Sequence, residues 1–445
     1  MLSFRGGVHP SENKHSTRHL AVETLPLPPV VFVPMSQHIG APAKPVVEKG
    51  AEVRTGTVIG EAQGRVSVPV HAPLSGTVTG VTEMPHPLAG NRVMTVVIES
   101  DGKDTPDTGI GERAADDFTP EQRIEAVRAA GVVGMGGATF PTFFKLSPPK
   151  EKRIDTLLIN GCECEPFLTA DHRVMLEQPA EVVDGALLIA RALGVENLII
   201  GVEDNKPDAV ETLRRILPSV SDGAQPCSIR ILALKTLYPQ GAEKQLIKAC
   251  LNREVPSGGL PMDVGCVVQN VGTAVAVRDA VRFGRPLIER VTTVTGPAIT
   301  EPKNLRVRIG TPVKALVDYC GGYRAAPAKL IMGGPMMGIA VASDEIPVLK
   351  GTSGVLALDA DTAAELEDHD CIRCGRCIKA CPMGLAPQRL YYHILRKRLE
   401  AAERDHVLDC IECGCCAWTC PAKIRLVHHF KFAKSEINAR KRRAG

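Results

Sequence analysis

Eight of the chain's fifteen cysteines fall into two copies of one spacing near the C-terminus. The first copy is Cys371, Cys374, Cys377 and Cys381, followed by Pro382; the second is Cys410, Cys413, Cys416 and Cys420, followed by Pro421. Each reads C-x2-C-x2-C-x3-C-P, a run that ligates paired cubane 4Fe–4S clusters. Three cysteines spaced by three wrap one face of a cluster, and the fourth crosses to the other cluster. The expected ligand sets are therefore Cys371, Cys374, Cys377 with Cys420, and Cys410, Cys413, Cys416 with Cys381. Zinc knuckles use paired C-x2-C motifs without a trailing proline. Disulfide scaffolds are short and secreted. Cys415 falls inside the second run but out of register and reads as a spare thiol. A chain with two such runs moves electrons singly, so the rest of the sequence must supply their source and destination.

The chain has 445 residues, 44% of them hydrophobic. That suits three or four domains at roughly 100–200 residues each. A net charge of +3 gives no reason to expect nucleic acid as a partner. Met1 to Pro10 lack the apolar stretch of a secretory leader. No apolar run reaches the roughly 18–20 residues of a spanning helix; the best candidate, Ala186 to Val202, is broken by Arg191, Glu196 and Asn197. Cluster thiolates favour a reducing compartment. The expectation is a cytoplasmic protein that meets a membrane only through a partner or a surface segment.

Residues 1–110 read as β-rich, with valines between Gly and Pro punctuation. Within them Val47 to Gly60, then His71-Ala72-Pro73-Leu74-Ser75-Gly76-Thr77-Val78, resemble the flattened barrel of biotinyl and lipoyl carrier domains. Arg65 falls where a carrier has its modified lysine. A guanidinium is not acylated in that way, so a docking or packing module is expected rather than a swinging arm. Residues 115–285 alternate helical stretches (Pro120–Ala130, Ala180–Leu193) with β-type runs (Thr156–Asn160, Asn197–Val202), which predicts an α/β layer with parallel strands. Residues 286–350, through Val294-Thr295-Gly296-Pro297, Gly310-Thr311-Pro312 and Gly321-Gly322, resemble a soluble ligand-binding β-grasp domain. Residues 360–430 hold the cysteine runs, and Pro387 to Asp409 between them has helical spacing, favouring an α-helical two-cluster unit. Residues 431–445 read as a basic tail, and its charge run Arg440-Lys441-Arg442-Arg443 as a solvated terminus.

A second chemical signal runs from Gly131 through Gly134, Gly136 and Gly137 to Phe140, Phe143, Phe144 and Lys145. Glycines let a backbone pass close to a cofactor and turn N–H groups toward phosphate. Asn160-Gly161-Cys162-Glu163-Cys164-Glu165 follows a predicted strand, where α/β folds gather polar groups. Tyr238-Pro239-Gln240-Gly241-Ala242-Glu243 and Gln269-Asn270-Val271-Gly272 come later.

Together these four segments resemble the FMN- and NADH-binding 51-kDa subunit of respiratory complex I. The resemblance implies that Gly134, Gly136, Lys145, Asn160 and Asn270 contact FMN. It places Glu163, Glu165 and Glu243 near flavin or NADH, and lets the three phenylalanines stack on cofactor rings. Met135, Cys162 and Ala242 stand where that family has arginine, aspartate and glutamate. The order of carrier-like barrel, flavin domain, β-grasp domain and two-cluster unit, with Phe4-Arg5-Gly6-Gly7-Val8-His9-Pro10 ahead of it, resembles the C subunit of Rnf-type electron transport complexes. That family implies an oxidoreductase subunit, peripheral on the cytoplasmic side of the inner membrane. It would carry electrons between NADH and ferredoxin, or another low-potential carrier, through FMN and two 4Fe–4S clusters. Its partners would be the complex's integral membrane and peripheral subunits, which move Na+ or H+. The competing readings are a soluble NADH dehydrogenase or hydrogenase-type flavoprotein subunit, an electron relay that has lost its flavin site, and a biotin or lipoyl carrier.

The cysteine spacing carries its own prediction. Anaerobically purified protein is expected to hold about eight irons and eight acid-labile sulfides per chain; zinc in their place, measured by elemental analysis, would overturn the cluster reading.

Overall fold

The computed structural model describes residues 2–88, 90–220, 227–364 and 367–444. Met1 and Gly445, the outer ends of the first and last expected segments, lie outside them. Val30–Pro34, Arg92–Ser100, Gly76–Pro85 and Glu52–Val53 form one sheet in that order, and Lys44–Pro45, Val58–Glu61 and Val70–His71 a second. Alternate residues such as Val31, Val33, Val96 and Ile98 are buried together with Ile59 and Val70, as side chains of period two require when one face of a sheet is covered.

The strands of this sandwich begin at Val30. The preceding residues are a strap across the other units. Leu2 bridges Leu234, Val8 bridges Tyr238, and Val22–Thr24 pairs in parallel with Asn304–Arg306. A three-residue strand has too little surface for a core of its own and is used at the edge of a distant sheet.

The second unit is a parallel sheet in the order Ser228–Leu234, Asn197–Glu203, Thr156–Gly161, Cys266–Asn270. Both faces are covered, so the strands are nearly continuous apolar runs. From Thr156–Gly161 the chain steps outward through helices Ala170–Glu177, Pro179–Leu193 and Pro207–Val220, whose buried residues share one core. It returns beneath the opposite face through helix Glu243–Leu251. The last strand is thereby added on the far side of the first, and strand order reverses between them. The register there places Asn270 beside Asn160. Open α/β sheets bind ligands in the crevice beyond the strand ends at such a reversal.

Helix Val271–Phe283 starts at this point. The Asn270 side chain caps it, its Oδ1 accepting from Gly272 N at 2.8 Å and Thr273 N at 3.4 Å. The helix crosses Pro179–Leu193 at Gly185, where a Cβ would lie 1.9 Å from the Ala274 carbonyl oxygen. Only glycine allows this backbone approach, and the approach fixes the height of Asn270 over the sheet.

The third unit is a six-stranded sheet in the order Val22–Thr24, Lys303–Arg308, Glu289–Thr295, Gly354–Leu358, Lys329–Met332, Ile339–Val341. Helix Val313–Tyr319 contributes Val313, Leu316 and Val317 to its core. Gly354–Leu358 is central and wholly buried, so the unit runs past the expected end at 350. The fourth unit is helical: Arg376–Ala380, Pro387–Leu395, Leu399–Arg404, Cys415–Trp418 and Leu426–Ala444. The helical stretch expected over Pro387–Asp409 breaks at Lys397, whose φ is +55°. The basic tail expected from 431 is instead the second half of helix Leu426–Ala444, anchored by buried Phe430, Ala433 and Ile437.

Gly185→Ala is expected to destabilise the parallel-sheet unit by about 1–3 kcal/mol through overpacking. A lowered urea midpoint for that unit would report it, and an unchanged midpoint would show that the two helices part freely.

Candidate functional site

The eight run cysteines separate into two pockets. Cys371, Cys374, Cys377 and Cys420 line one, with Tyr391, Ile424 and Leu426. Cys381, Cys410, Cys413 and Cys416 line the other, with Cys415 and Phe430. Each pocket takes three thiols from one run and the fourth from the other. The loops match in detail: Arg373 and Glu412, between the first two cysteines of each run, have φ of +55° and +58°, and Gly375 and Gly414 have +72° and +83°. These left-handed residues curl each loop around its pocket. Among the described residues no three His, Cys, Asp or Glu side chains converge on a single-ion position. The four run thiols that line each pocket suit a multi-atom cluster. Burial pushes the Cys410 thiol up to about 11, so a metal cluster must displace protons to bind there. Lys434 Nζ reaches the Cys410 carbonyl at 3.0 Å from helix Leu426–Ala444. Cys374 is exposed, whereas Cys413 and Cys416 are buried.

The glycine loop lies over the sheet reversal. Gly134 N donates to the Phe140 carbonyl at 2.9 Å and closes the loop on itself. Met135 turns its side chain inward, and its N donates to Thr273 Oγ1 at 2.9 Å. A Cβ on Gly136 would meet the Asn270 Cβ at 3.2 Å, while one on Gly137 would meet nothing within 4 Å. The loop thus rests on Asn270 and presents an open face. The N–H groups of Gly136 and Gly137 have no acceptor among the described residues, and such groups suit an anion. Lys145 pairs with Glu243 and also donates to the Val268 carbonyl at 3.2 Å. Phe140 and Phe144 meet edge to face at 5.5 Å, and Phe143 packs on Phe144 at 6.2 Å.

Asn160 Nδ2 donates to the Gly241 carbonyl at 2.8 Å, and its Oδ1 accepts from Cys162 N at 3.1 Å. It joins the strand end to the Tyr238–Glu243 segment. The two neighbouring glutamates are committed to structure. Glu163 accepts from Asp171 N at 2.7 Å and His172 N at 3.2 Å, capping the first turn of helix Ala170–Glu177. Glu165 accepts from Met336 N at 3.0 Å and Met337 N at 2.9 Å, holding a loop of the third unit; burial raises it to about 7. Cys162 is fully buried, and burial pushes its thiol up. The Cys164 sulfur accepts from Gly241 N at 3.3 Å.

Sequence reasoning passed over the groups that hold this region still. Lys14 Nζ donates to the carbonyls of Glu163 at 2.6 Å and Leu168 at 2.7 Å. Lys206 Nζ donates to the Cys162 carbonyl at 2.6 Å and pairs with Glu203 at 3.3 Å. Both ammoniums are buried and bind the 162–168 loop. Asp171 accepts from Asn270 Nδ2 at 2.6 Å, and burial with the nearby Glu163 charge raises it to about 7. A lone lysine or aspartate without a spacing pattern gives no signal in one sequence.

The parallel-sheet unit touches the second cysteine pocket directly. Tyr238 Oη donates to the Cys413 carbonyl at 2.8 Å, and the Cys415 thiol lies 3.8 Å from the Tyr238 carbonyl. Val8, Tyr238, Ala380, Cys413 and Cys415 form one buried cluster, with Cys164 and Met336 packed on it. An unbroken protein wall thus joins the crevice to the second pocket, while the first pocket lies farther out, with the exposed Cys374 on its rim.

Four segments match described families: residues 2–103 the RnfC barrel sandwich hybrid domain, 127–279 the Nuo51 FMN-binding domain, 291–340 the SLBB domain and 364–421 the 4Fe-4S dicluster domain. The chain is 48% identical over 443 residues to the C subunit of the proton-translocating ferredoxin:NAD(+) oxidoreductase complex of Clostridium ljungdahlii, covering 99% of this chain and 95% of that one. It is 47% identical to the C subunit of the Na(+)-translocating ferredoxin:NAD(+) oxidoreductase complex of Acetobacterium woodii, covering 99% and 98%. It is 44% identical to the C subunit of the ion-translocating oxidoreductase complex of Rhodobacter capsulatus, covering 99% and 84%. Among solved structures, a chain of NAD+-reducing NiFe-hydrogenase in its H2-reduced state aligns with a TM-score of 0.50 at 20% identity, over 73% of this chain and 63% of that one. The air-oxidised form aligns with the same score over 65% and 55%. At that identity the likeness is one of fold.

Asp171 gives this region a pH signature. Its pKa rises from 3.8 to about 7 on folding, so the native state binds the extra proton. The stability it contributes is full below about pH 4 and is lost as pH rises toward about 7. Asp171→Asn is expected to flatten that part of the stability–pH curve, measured by urea unfolding between pH 5 and 8. An identical slope in the variant would show that Asp171 is ionised throughout.

Proposed function

The chain belongs to the C-subunit family of ion-translocating oxidoreductase complexes, and on that premise we propose that it carries electrons between NADH and ferredoxin, or a carrier of similar potential, as one member of an assembly that moves ions across a membrane. The observation that carries this reading is the shared wall of Cys164, Tyr238 and Cys413, which sets a candidate flavin crevice against a candidate cluster pocket. When bound, FMN converts a hydride's electron pair into single electrons, and 4Fe–4S clusters carry electrons singly.

The residues fit those groups. The unpartnered N–H groups of Gly136 and Gly137 suit a phosphate, and the Gly134 turn holds their loop in place. Lys145 would exchange Glu243 for that phosphate, which frees the Glu243 carboxylate beside the nucleotide. Asn160 and Asn270, side by side at the strand ends, would hold the flavin's polar edge and ribityl chain. Glu163 and Glu165 would shape the walls through their backbone partners rather than touch the cofactor. Cys381, Cys410, Cys413 and Cys416 would hold the cluster nearer the flavin. Cys371, Cys374, Cys377 and Cys420 would hold the outer one, where the exposed Cys374 marks the exit to a partner.

No helix among the described residues is long and apolar enough to cross a membrane. A peripheral position on the cytoplasmic face of the inner membrane, against membrane-embedded subunits, is part of the proposal. The relatives named for protons and for Na+ leave the ion unassigned.

Anaerobic protein is expected to contain about one FMN, and NADH should bleach both the flavin and the iron–sulfur absorbance. Cys374→Ala should still allow NADH to reduce the flavin, keep roughly half the iron, and lose transfer to ferredoxin. Full iron without flavin would favour the relay reading, to which the Met135 and Cys162 substitutions point. A Cys374→Ala protein that reduced ferredoxin at the normal rate would sink the proposed exit.

A further inference from the structure

The sandwich touches the glycine segment at its start, at its crest and at its end. Near the loop's start, a Cβ on Gly131 would come within 2.4 Å of the Pro69 carbonyl. At its crest, Ile39 N donates to the Thr139 carbonyl at 3.4 Å. At its end, the Arg65 guanidinium sits over the Phe144 ring, 5.7 Å from its centroid. The sandwich loops making these contacts are tied to each other: Ala41 N donates to the Val66 carbonyl at 3.0 Å, Ser67 Oγ to the Ala41 carbonyl at 2.9 Å, and Val68 N to His38 Nε2 at 3.2 Å.

A buried lysine locks the junction. Lys350, from the third unit, donates to the Gly131 carbonyl at 2.6 Å and the Pro69 carbonyl at 3.4 Å. It has no carboxylate partner among the described residues. Burying an amine without a counter-charge is costly, and here it joins one sandwich loop to the first residue of the glycine loop through two carbonyls. Such a joint does more than bury apolar area. It fixes the sandwich at one place over the crevice.

Arg65 is what the joint positions. The residue is exposed and has no carboxylate partner among the described residues. Its neighbours differ: Lys145 pairs with Glu243, and Arg128, which lies over Phe143, pairs with Glu125 at 3.8 Å. Arg65 therefore holds a charge uncommitted to a carboxylate against the Phe140, Phe143 and Phe144 group at the loop's end. A guanidinium binds phosphate oxygens in a two-pronged fork, and stacking on an aromatic face holds its plane. We propose that Arg65 is a nucleotide-binding residue, lent by the sandwich to the crevice, whose guanidinium contacts the pyrophosphate of NADH. The arginine at the position of a carrier domain's modified lysine would then hold a substrate that comes and goes, in place of a covalent arm.

This rests on the flavin and NADH reading above, so the test separates the two. Holo protein, its Arg65→Ala and Arg65→Lys variants would be assayed anaerobically for NADH oxidation with ferricyanide as acceptor, and for bound FMN. Arg65→Ala is expected to keep its FMN and a near-normal kcat while KM for NADH rises about tenfold or more, the loss expected for one charge-assisted hydrogen bond. Arg65→Lys should recover part of it. Reduced nicotinamide riboside, which has no phosphate, should be oxidised equally by wild type and Arg65→Ala. An unchanged KM for NADH overturns the proposal, as does an equal loss with the riboside. Loss of FMN instead would place Arg65 as packing for Phe144 or as a flavin contact. A wild-type protein that NADH cannot reduce would overturn the underlying reading as well.

Discussion

The pairing of Asn160 with Asn270 across two parallel strands is the constraint on which the candidate site depends. The two asparagines are far apart in sequence and meet only because the last strand is inserted on the far side of the first. Each then does two structural jobs. Asn160 holds the Tyr238–Glu243 segment and its own following turn. Asn270 caps a helix through Oδ1 and binds Asp171 through Nδ2. The glycine loop rests on Asn270, and Met135 is tied to Thr273 one turn into the same helix. A slip of one residue in the Cys266–Asn270 strand would turn the Asn270 side chain to the other face of the sheet and leave the loop without its support.

Around that register the protein uses buried lysines to fasten irregular backbone. Lys14, Lys206 and Lys350 each donate to main-chain carbonyls from different parts of the chain. The loops they bind have no strand or helix to satisfy their carbonyls, and buried carbonyls need donors. Lys206 has Glu203 beside it, and Lys14 has Glu163 at 4.0 Å. Lys350 relies on carbonyls alone, and burial lowers it to about 7. Arg290 donates to the Lys350 carbonyl at 2.5 Å, so the joint between the first three units is built from fixed dipoles. Polar contacts of this kind hold one geometry, where apolar packing alone would allow sliding.

The cysteine unit is held on a different principle. Two loops with matching left-handed residues face one another, and the helix Leu426–Ala444 closes them with Phe430, Ala433 and Ile437. Its attachments to the parallel-sheet unit include the Tyr238 hydroxyl on the Cys413 carbonyl, Gln245 on the Pro382 carbonyl at 3.3 Å and Gly258 N on the Asp409 carboxylate at 3.0 Å, and the strap adds the Gly7 N–H on the Ala380 carbonyl at 3.0 Å. The N-terminal strap runs through this contact. A Cβ on Gly6 would lie 2.7 Å from the Cys381 carbonyl oxygen, so the strap needs glycine there to pass so close to a run cysteine.

The sequence alone determined what depends on local spacing. The cysteine intervals grouped eight thiols, valine alternation marked the sandwich, and apolar runs between helices marked the parallel strands. The glycines and Lys145 were visible because a bare backbone beside a cation is a local pattern. What it did not determine is which distant groups meet. Nothing local distinguishes Lys14, Lys206 or Lys350 from surface lysines, or shows that Glu163 and Glu165 turn toward backbone N–H groups. That Val22–Thr24 pairs with the third unit's sheet was not legible, because a strand's alternation does not say which sheet it joins. Residues 431–444 read as a basic tail because their charges hide Ala433 and Ile437, which with Phe430 anchor the helix. Only the tertiary structure decided that Arg65 lies over Phe144 and that the second cysteine pocket, not the first, adjoins the crevice. Both follow from strand order and from buried polar contacts between units, which a sequence encodes only through the whole fold.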